Sequence, residues 1–480
     1  MPAVVRRAKK GNHTVENLLR DCRTVPEDLM PCLERLKEFM EPYIHRLGDK
    51  RQHRHGRTFL QGLLSDLERK STEPIAERAG LYRRPLQKFM GDSPWDHRPL
   101  LGELRRQVCE ELGEAEGIVI IDPSSFPKKG THSVGVSRQW SGHLGKVDNC
   151  QVGVFLGYKS NKGHTLVDER LYLPKHWAKD RVRRLECGVP KGLRFKTAQK
   201  LALELLEENK EGLPHGWVAA DDEFGRSSPF RRKLRQRGER YVLDVPGKTL
   251  IRDLRAAAPA RAQERGRMPK VRFVTASAWK DALPAEAWAR VHLRDGTKGP
   301  MVIWVAGTRV QTKASGKNSS DAEWLVVTRT DSKNPEYRYH LSSADENMPL
   351  EKLAHVASAR YWVEDCIERA KGRIGLDHYE VRSWVGWHHH MTLCMIATWF
   401  LVLEHRRLIE RTPAMTVQQS AEAVGEMLRD PHIDLRWLAR KLTRRLWRAE
   451  ESRIQHWRKF DQLPPTWTQA RAMHIPNGAL

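Results

Sequence analysis

Apolar positions recur at helical spacing over residues 14–110, where Leu60, Leu63, Leu64 and Leu67 share one side. The stretch EPIAERAGLYRRPLQKF (73–89) predicts a short helix, a turn at Gly80 and a second helix rich in Arg and Lys. From residue 117 the period shortens. Ile118–Ile121, Gln151–Tyr158, Thr165–Leu173, Trp217–Ala220 and Tyr241–Val245 read as strands, several with too little polar interruption to face water. Between them, Phe195–Asn209 carries Ala198, Leu201, Ala202 and Leu205 on one helical face, and Phe224-Gly225 opens another helix.

Pro, Gly, Arg and Lys crowd Pro246–Lys270. Strand-like runs follow at Val271–Thr275, Val291–Leu293, Met301–Ala306, Trp324–Thr328 and Tyr337–Leu341, with a hairpin signal at Asp295-Gly296. Gln311–Ser320, rich in Lys, Ser and Gly, reads as a loop. Helical spacing returns from Pro349 to Leu408. Pro431–Phe460 then sets an apolar stripe of Leu435, Leu438, Leu442 and Leu446 against nine Lys or Arg and three acids. That tail is either a solvated basic face or an arm that tracks phosphates or contacts a subunit.

The order β-β-β-α-β-α-β over 117–245 is that of the ribonuclease-H-like fold. The expected class is α/β: a ribonuclease-H-like mixed sheet core, an inserted β subdomain, a helical N-terminal domain and a basic helical C-terminal tail. The expected parts are 1–110 (helical, DNA-binding), 111–245 (first part of the core), 246–344 (inserted β subdomain), 345–410 (second part of the core) and 411–480 (tail). The 73–89 pattern suits a helix-turn-helix reader of the major groove, and equally an ordinary helical hairpin.

A net charge of +24 over 480 residues favours a polyanionic partner. Seven cysteines, scattered and without a Cys-x-x-Cys pair, argue against a disulfide framework or zinc ribbon and for a reducing compartment. The N-terminal Met-Pro-Ala-Val-Val-Arg-Arg has no signal-peptide core. Met391–Leu403, the longest apolar stretch, is too short to span a bilayer. The expectation is a cytoplasmic protein without a membrane partner.

Three acids suggest chemistry. Asp122 and Asp221 each end an apolar run, at the first and fourth expected strands, which are neighbours in that fold. Glu364 lies on the helical stretch Arg360–Lys371. Carboxylates from separate elements can hold a pair of divalent ions, which suits cutting and rejoining phosphodiester bonds. An acid after a strand is by itself more often a turn or helix cap. Arg360, Glu364, Glu368 and Lys371 share one helical face, so spacing alone leaves Glu364 and Glu368 both open, beside the plainer reading of a salt-bridged surface helix. Asp221 heads the acidic run 221–223 and directly terminates its strand.

Longer strings carry a resemblance: IDPSSFPKKG (121–130), SVGVSRQWSG (133–142), DNCQ (148–151), ADDEFG (220–225) and GLDHYEVRSW (375–384), with Ser71–Trp95. Over about 50–410 the chain resembles bacterial insertion-sequence transposases of the DDE superfamily, in the group with a β-strand insertion before the catalytic Glu. The resemblance implies Asp122, Asp221 and Glu364 as catalytic, metal-holding residues for two Mg2+ ions, with Mn2+ as a substitute. A related signature, Tyr-x2-Arg-x3-Glu-x6-Lys, is met by Arg360, Glu364 and Lys371, which selects Glu364 over Glu368. The Tyr position falls on Ala357, and Pro123 stands where a second Asp is common. The departure at Ala357 leaves a hairpin intermediate without its usual residue.

The implied function is cut-and-paste transposition: hydrolysis at the element ends, then transfer of the freed 3′-OH into target DNA. The partners are double-stranded DNA (terminal inverted repeats and target) and a second copy of the chain in the DNA complex. Arg360, Lys371, Lys128, Lys129 and Arg138 are the candidate DNA contacts. The alternatives are a domesticated sequence-specific DNA-binding regulator and a related nuclease that never joins strands. Trp304 or Trp324 could stack on an unpaired base, although sheet core is the commoner role. Three consecutive histidines, His388–His390, offer poor ligand geometry because a helix aligns only residues three or four apart.

Overall fold

A computed structural model describes residues 14–142, 144–257, 271–313 and 321–472. The N-terminal Met-Pro-Ala-Val-Val-Arg-Arg, the stretch 258–270 of the Pro- and Arg-rich segment, and 314–320 of the expected loop lie outside the described residues. The protein is mixed α/β, with a large mixed sheet and with N- and C-terminal helices. The chain packs into two compact units. One comprises residues 37–292 and 302–402; the other holds the residues up to 36, 293–301, and 403 onward. No helix among the described residues is long and apolar enough to cross a membrane.

The strands are β1 (Ile118–Pro127), β2 (Ser137–Ser141), β3 (Lys146–Ser160), β4 (Gly163–Leu171), β5 (Trp217–Ala220), β6 (Tyr241–Val245), β7 (Leu250–Asp253), β8 (Val274–Thr275), β9 (Ala289–Gly296), β10 (Gly299–Thr312), β11 (Glu323–Thr330) and β12 (Tyr337–Ser342). They form one sheet in the order β2-β3-β1-β5-β6-β12-β11-β10-β7-β8, with β4 also on β3 and β9 on β10. β1, β3 and β4 pair antiparallel, whereas β1, β5 and β6 run parallel. This is consistent with the ribonuclease-H-like fold. Ile118–Ile121, Trp217–Ala220 and Tyr241–Leu243 are buried on both faces, as parallel strands covered by helices must be.

The strands of 246–344 do not make a separate sheet. β12 pairs antiparallel with β6 from Tyr339↔Val245 to Ser342↔Val242, so the insertion continues the core sheet and covers the edge that β6 would otherwise expose. β10 and β11, each longer than its apolar run, carry this extension.

The helical stretch expected from Pro349 to Leu408 is broken. Helix Leu350–Ser358 gives way at Ala359 to Arg360–Arg369, a π-turn over Ala370–Ile374 follows, and Gly375 (φ 78°) ends it in the left-handed region. Helix Trp384–Arg411 begins nine residues later. Helix Arg360–Arg369 lies close on β3 because Gly157 has no side chain: a Cβ there would meet Val363 Cγ2 at 2.3 Å. This approach fixes the residue beside Val363, Glu364, over the sheet.

The 73–89 pattern folds as helices Thr72–Arg78 and Arg83–Gly91, turned through Gly80 (φ 64°), with Ile75, Ala76, Leu86, Phe89 and Met90 buried. Gly62 in helix Lys50–Leu64 admits Ile75, whose Cγ2 would stand 2.5 Å from a Cβ. In the other unit, helix Leu435–Trp457 buries Leu438, Leu442 and Leu446, while Lys441 and Arg445 pair with Glu422 and Glu426 of helix Val417–Arg429.

Candidate active site

Three aspartates stand just past one rung of the sheet. Ile121 pairs with Ala220, and Ala220 pairs with Leu243, across the parallel strands β1, β5 and β6. The next residue on each strand is acidic: Asp122, Asp221 and Asp244. Beyond Ile121 and Ala220 the pairing of β1 with β5 stops, while β1 runs on against β3 to Pro127. The aspartates therefore stand where neighbouring parallel strands part at their carboxyl ends, the usual place for a site in such sheets.

Arg360 ties this rung to the helix above. Its Nη1 donates to Asp122 Oδ1 at 3.2 Å and lies 2.6 Å from Glu364 Oε1, while its Nε lies 3.2 Å from Asp244 Oδ2. Asp244 is held from the far side by His340 of β12, with Nδ1 2.7 Å from Oδ1, and His340 Nε2 reaches Thr328 Oγ1 at 3.3 Å. Asp221 caps the short helix Asp222–Gly225, accepting from the Glu223 amide at 3.0 Å. Gly225 lets that helix sit against β6, since a Cβ there would fall 1.9 Å from the Asp244 carbonyl oxygen. The ligand atoms of Asp122, Asp221 and Glu364 are not all within 4.8 Å of one another.

Burial dominates the electrostatics. Loss of water pushes the Asp122 carboxyl up to about 8; Arg360 opposes the rise, while Glu364 and Asp221 add to it. Burial likewise raises Asp221 to about 6 against the pull of Arg360. Burial also works against ionisation of Asp244, yet His340 and Arg360 outweigh it and hold Asp244 below the usual carboxylate range. One guanidinium thus serves more carboxylates than it can neutralise, and Asp122 and Asp221 remain under-compensated.

The other candidates separate. Glu368 pairs with Lys371 Nζ at 3.1 Å, away from Arg360, and Lys371 is buried, its Nζ 5.8 Å from the Phe126 ring centroid. Lys128 Nζ donates to the Tyr379 carbonyl at 3.2 Å and sits 3.4 Å over that ring. Lys129 and Arg138 are exposed, as is Trp140 beside Arg138 on β2. Trp324 is buried, donating to the Asp345 carbonyl, and Trp304 is half-buried, donating to Asp331 Oδ1. His388, His389 and His390 diverge to Glu169, to the carbonyls of Met90 and Trp95, and to the Gly375 carbonyl.

Asp244 is the site residue that sequence reasoning missed. Its signal was present, an apolar run Tyr241-Val-Leu ending in Asp, but Val245 continues the strand and masks it.

Residues 40–300 match the family described as DDE superfamily endonuclease, a span that includes Asp122 and Asp221. The chain is also 29% identical over 205 residues to the probable transposase for insertion sequence element IS701 of Microchaete diplosiphon; the match covers 42% of this chain and 51% of that protein. The chain thus spans about half the length of the curated relative it matches. With over half of its own length matched, the chain belongs to the DDE superfamily endonucleases, a family whose enzymes use divalent metals.

Proposed function

We propose that this protein is a metal-dependent DNA transposase that moves an insertion sequence by cut-and-paste, with Asp122, Asp221 and Glu364 as its catalytic carboxylates. The observation that carries this reading is the meeting of Asp122 and Glu364 on Arg360, with Asp122 and Asp221 each following the paired residues Ile121 and Ala220. The donor set fits hard divalent cations: carboxylate oxygens from β1, from the end of β5 and from a helix, two of them short of positive charge. Two Mg2+ ions, with Mn2+ as a substitute, suit such a set. Bound there, they would relieve charge on the phosphate and lower the pKa of attacking water.

The chain's own residues do the positioning. Asp122 is held within buried β1, Asp221 directly follows buried β5, and Glu364 is fixed through Val363 on Gly157. With cations held by Asp122 and Glu364, Arg360 would keep its ion pair with Asp244, which would leave Nη1 free for a phosphate. In the first step water attacks phosphorus at the element end, the P–O3′ bond breaks and a 3′-OH is released. In the second, that 3′-OH gives up its proton and attacks a target phosphate in line; a new P–O bond forms as the target's P–O3′ bond breaks, and the target's 3′-oxygen leaves as a hydroxyl. Exposed Lys129 and Arg138 contact DNA phosphates beside the centre. Residues 1–110 would recognise the terminal inverted repeats, and the 411–480 tail would contact DNA or a second copy, since two ends must be joined.

The test is excision from a plasmid that carries the gene's native flanking DNA, with wild type and Glu364→Gln in parallel. Excision by the wild type alone supports the reading. Excision by neither, with DNA binding retained, favours a DNA-binding regulator; cleavage without joining favours a nuclease.

A further inference from the structure

We propose that His97, Glu169 and His388 form a second metal site, structural in role and suited to a zinc-class ion, apart from the carboxylate centre. The three come from distant parts of one compact unit: the residue before helix Arg98–Leu112, strand β4, and helix Trp384–Arg411. A ligand atom from each lies within 4.8 Å of the other two, and this is the one group of three or more His, Cys, Asp or Glu among the described residues that meets so closely. The His97 and His388 rings stack with centroids 4.6 Å apart and planes 14° from parallel. Glu169 Oε1 lies 2.7 Å from His388 Nδ1.

The surroundings leave Glu169 short of partners. Its side chain is wholly buried, and Oε2 has no hydrogen-bond partner among the described residues; His388 Nε2 has none either. The nearby cations are engaged elsewhere. Arg170 bonds Asp168 at 2.8 Å, the Glu169 carbonyl at 2.6 Å, and Glu208. Arg98 pairs with Asp96 at 3.2 Å, and Asp168 also accepts from Asn209 at 2.7 Å. A carboxylate buried without a balancing charge is unfavourable, and a lone His–Glu hydrogen bond leaves one of its oxygens orphaned. An ion between two imidazoles and a carboxylate supplies that charge.

The donor set names the class of ion. Two nitrogens and one oxygen suit Zn2+, whereas Mg2+ prefers an all-oxygen shell with retained waters. Ligands around tetrahedral zinc stand about 3.3 Å apart for bonds of ~2.0–2.1 Å, so closing the group on an ion requires one of the stacked imidazoles to turn out of the stack and the His388–Glu169 hydrogen bond to open. The ion would fasten β4 to two helices that the chain meets far apart in sequence. The sequence reading of His388–His390 as a poor ligand run holds for the triplet; the structure instead draws His388 alone toward residues elsewhere in the chain.

The test uses the full-length protein, purified without chelator, equilibrated with micromolar zinc and freed of excess. Elemental analysis is expected to find about one zinc per chain in wild type and in Asp122→Asn, and under a tenth of that in His388→Gln and in the isosteric Glu169→Gln. Zinc should raise the melting temperature of wild type and not of Glu169→Gln. Cobalt substitution gives a readout on the wild type alone, through the visible absorption of low-coordinate Co2+. Retention of zinc by both site variants would overturn the proposal. So would a folded wild type that takes up no zinc, shows no melting response and leaves cobalt colourless; the cluster would then be a hydrogen-bonded His–Glu pair.

Discussion

Arg360 approaches Asp244 as closely as it approaches Asp122, 3.2 Å in each case. It is therefore anchored to a carboxylate on the same rung as the two expected to hold metal, but turned toward His340.

Asp244→Asn should leave the carboxylates of Asp122, Asp221 and Glu364 in place while loosening Arg360. Strand cleavage is expected to fall roughly 10- to 100-fold, as for other residues that orient a metal centre from behind. The melting temperature should stay within a few degrees of wild type. Asp122→Asn should abolish cleavage. An Asp244→Asn protein with wild-type kcat and KM would show that Arg360 needs no second anchor.

Arg360→Gln removes the cation that bridges Asp122, Glu364 and Asp244. The metal-free variant should lose about 3 kcal/mol in urea unfolding, because buried Asp122 is left beside Glu364 and Asp221 without it. Millimolar Mg2+ should recover much of that loss. Equal loss with and without Mg2+ would contradict metal binding by these residues.

Gly157→Ala tests how Glu364 is placed. The added methyl overlaps Val363, so helix Arg360–Arg369 must shift. Stability should drop by about 1–3 kcal/mol, and cleavage by roughly 10- to 100-fold through misplacement of Glu364. Pairing it with Val363→Ala should restore part of both.

The two adjacent lysines should behave differently. Lys129→Ala is expected to weaken DNA binding across sequences and to reduce the salt slope of log K by about 1. Lys128→Met should chiefly lower stability, since its ammonium is held by the Tyr379 carbonyl and ring. A Lys128→Met protein with normal stability and a reduced salt slope would reverse these roles.

Burial holds His390 neutral, its pKa lowered to about 3. The unfolded chain takes that proton near 6.5, so below this pH the unfolded state binds more protons and stability falls as pH falls toward 3. Each pH unit in that window should cost up to about 1.4 kcal/mol from this residue. Urea unfolding at pH 7.5 and 5.0 should show a smaller acid loss for His390→Asn than for wild type, although the variant starts lower.

The strands that bear the site were legible because their apolar runs are continuous: Ile118–Ile121, Trp217–Ala220 and Tyr241–Val245 all fall in strands. The position of Asp221 after its strand was legible for the same reason, whereas Asp122, expected to end the first strand, lies inside it, because β1 continues to Pro127 against β3. Asp244 was not legible, because its partners Arg360 and His340 lie far along the chain and no local pattern links them. β2 escaped notice because Ser137–Ser141 is mostly polar and exposed, and pairs only with β3. The break at Ala359 and the π-turn after Arg369 were hidden because apolar spacing continues through both. The fate of the inserted strands depended on β12 joining β6, a pairing between distant segments that composition does not encode.

That pairing has a consequence for the order in which the protein is made. A ribosome delivers Asp122, Asp221 and Asp244 first, then the whole of 246–344, then His340 on β12, and only afterwards Arg360 and Glu364. Until β12 arrives, β6 has one bare flank; until Arg360 arrives, Asp122 and Asp221 lack their counter-charge. The nascent chain therefore has a built-in delay. A chain stopped within the insertion would hold Asp122, Asp221 and Asp244 with neither Arg360 nor Glu364 to complete the cluster.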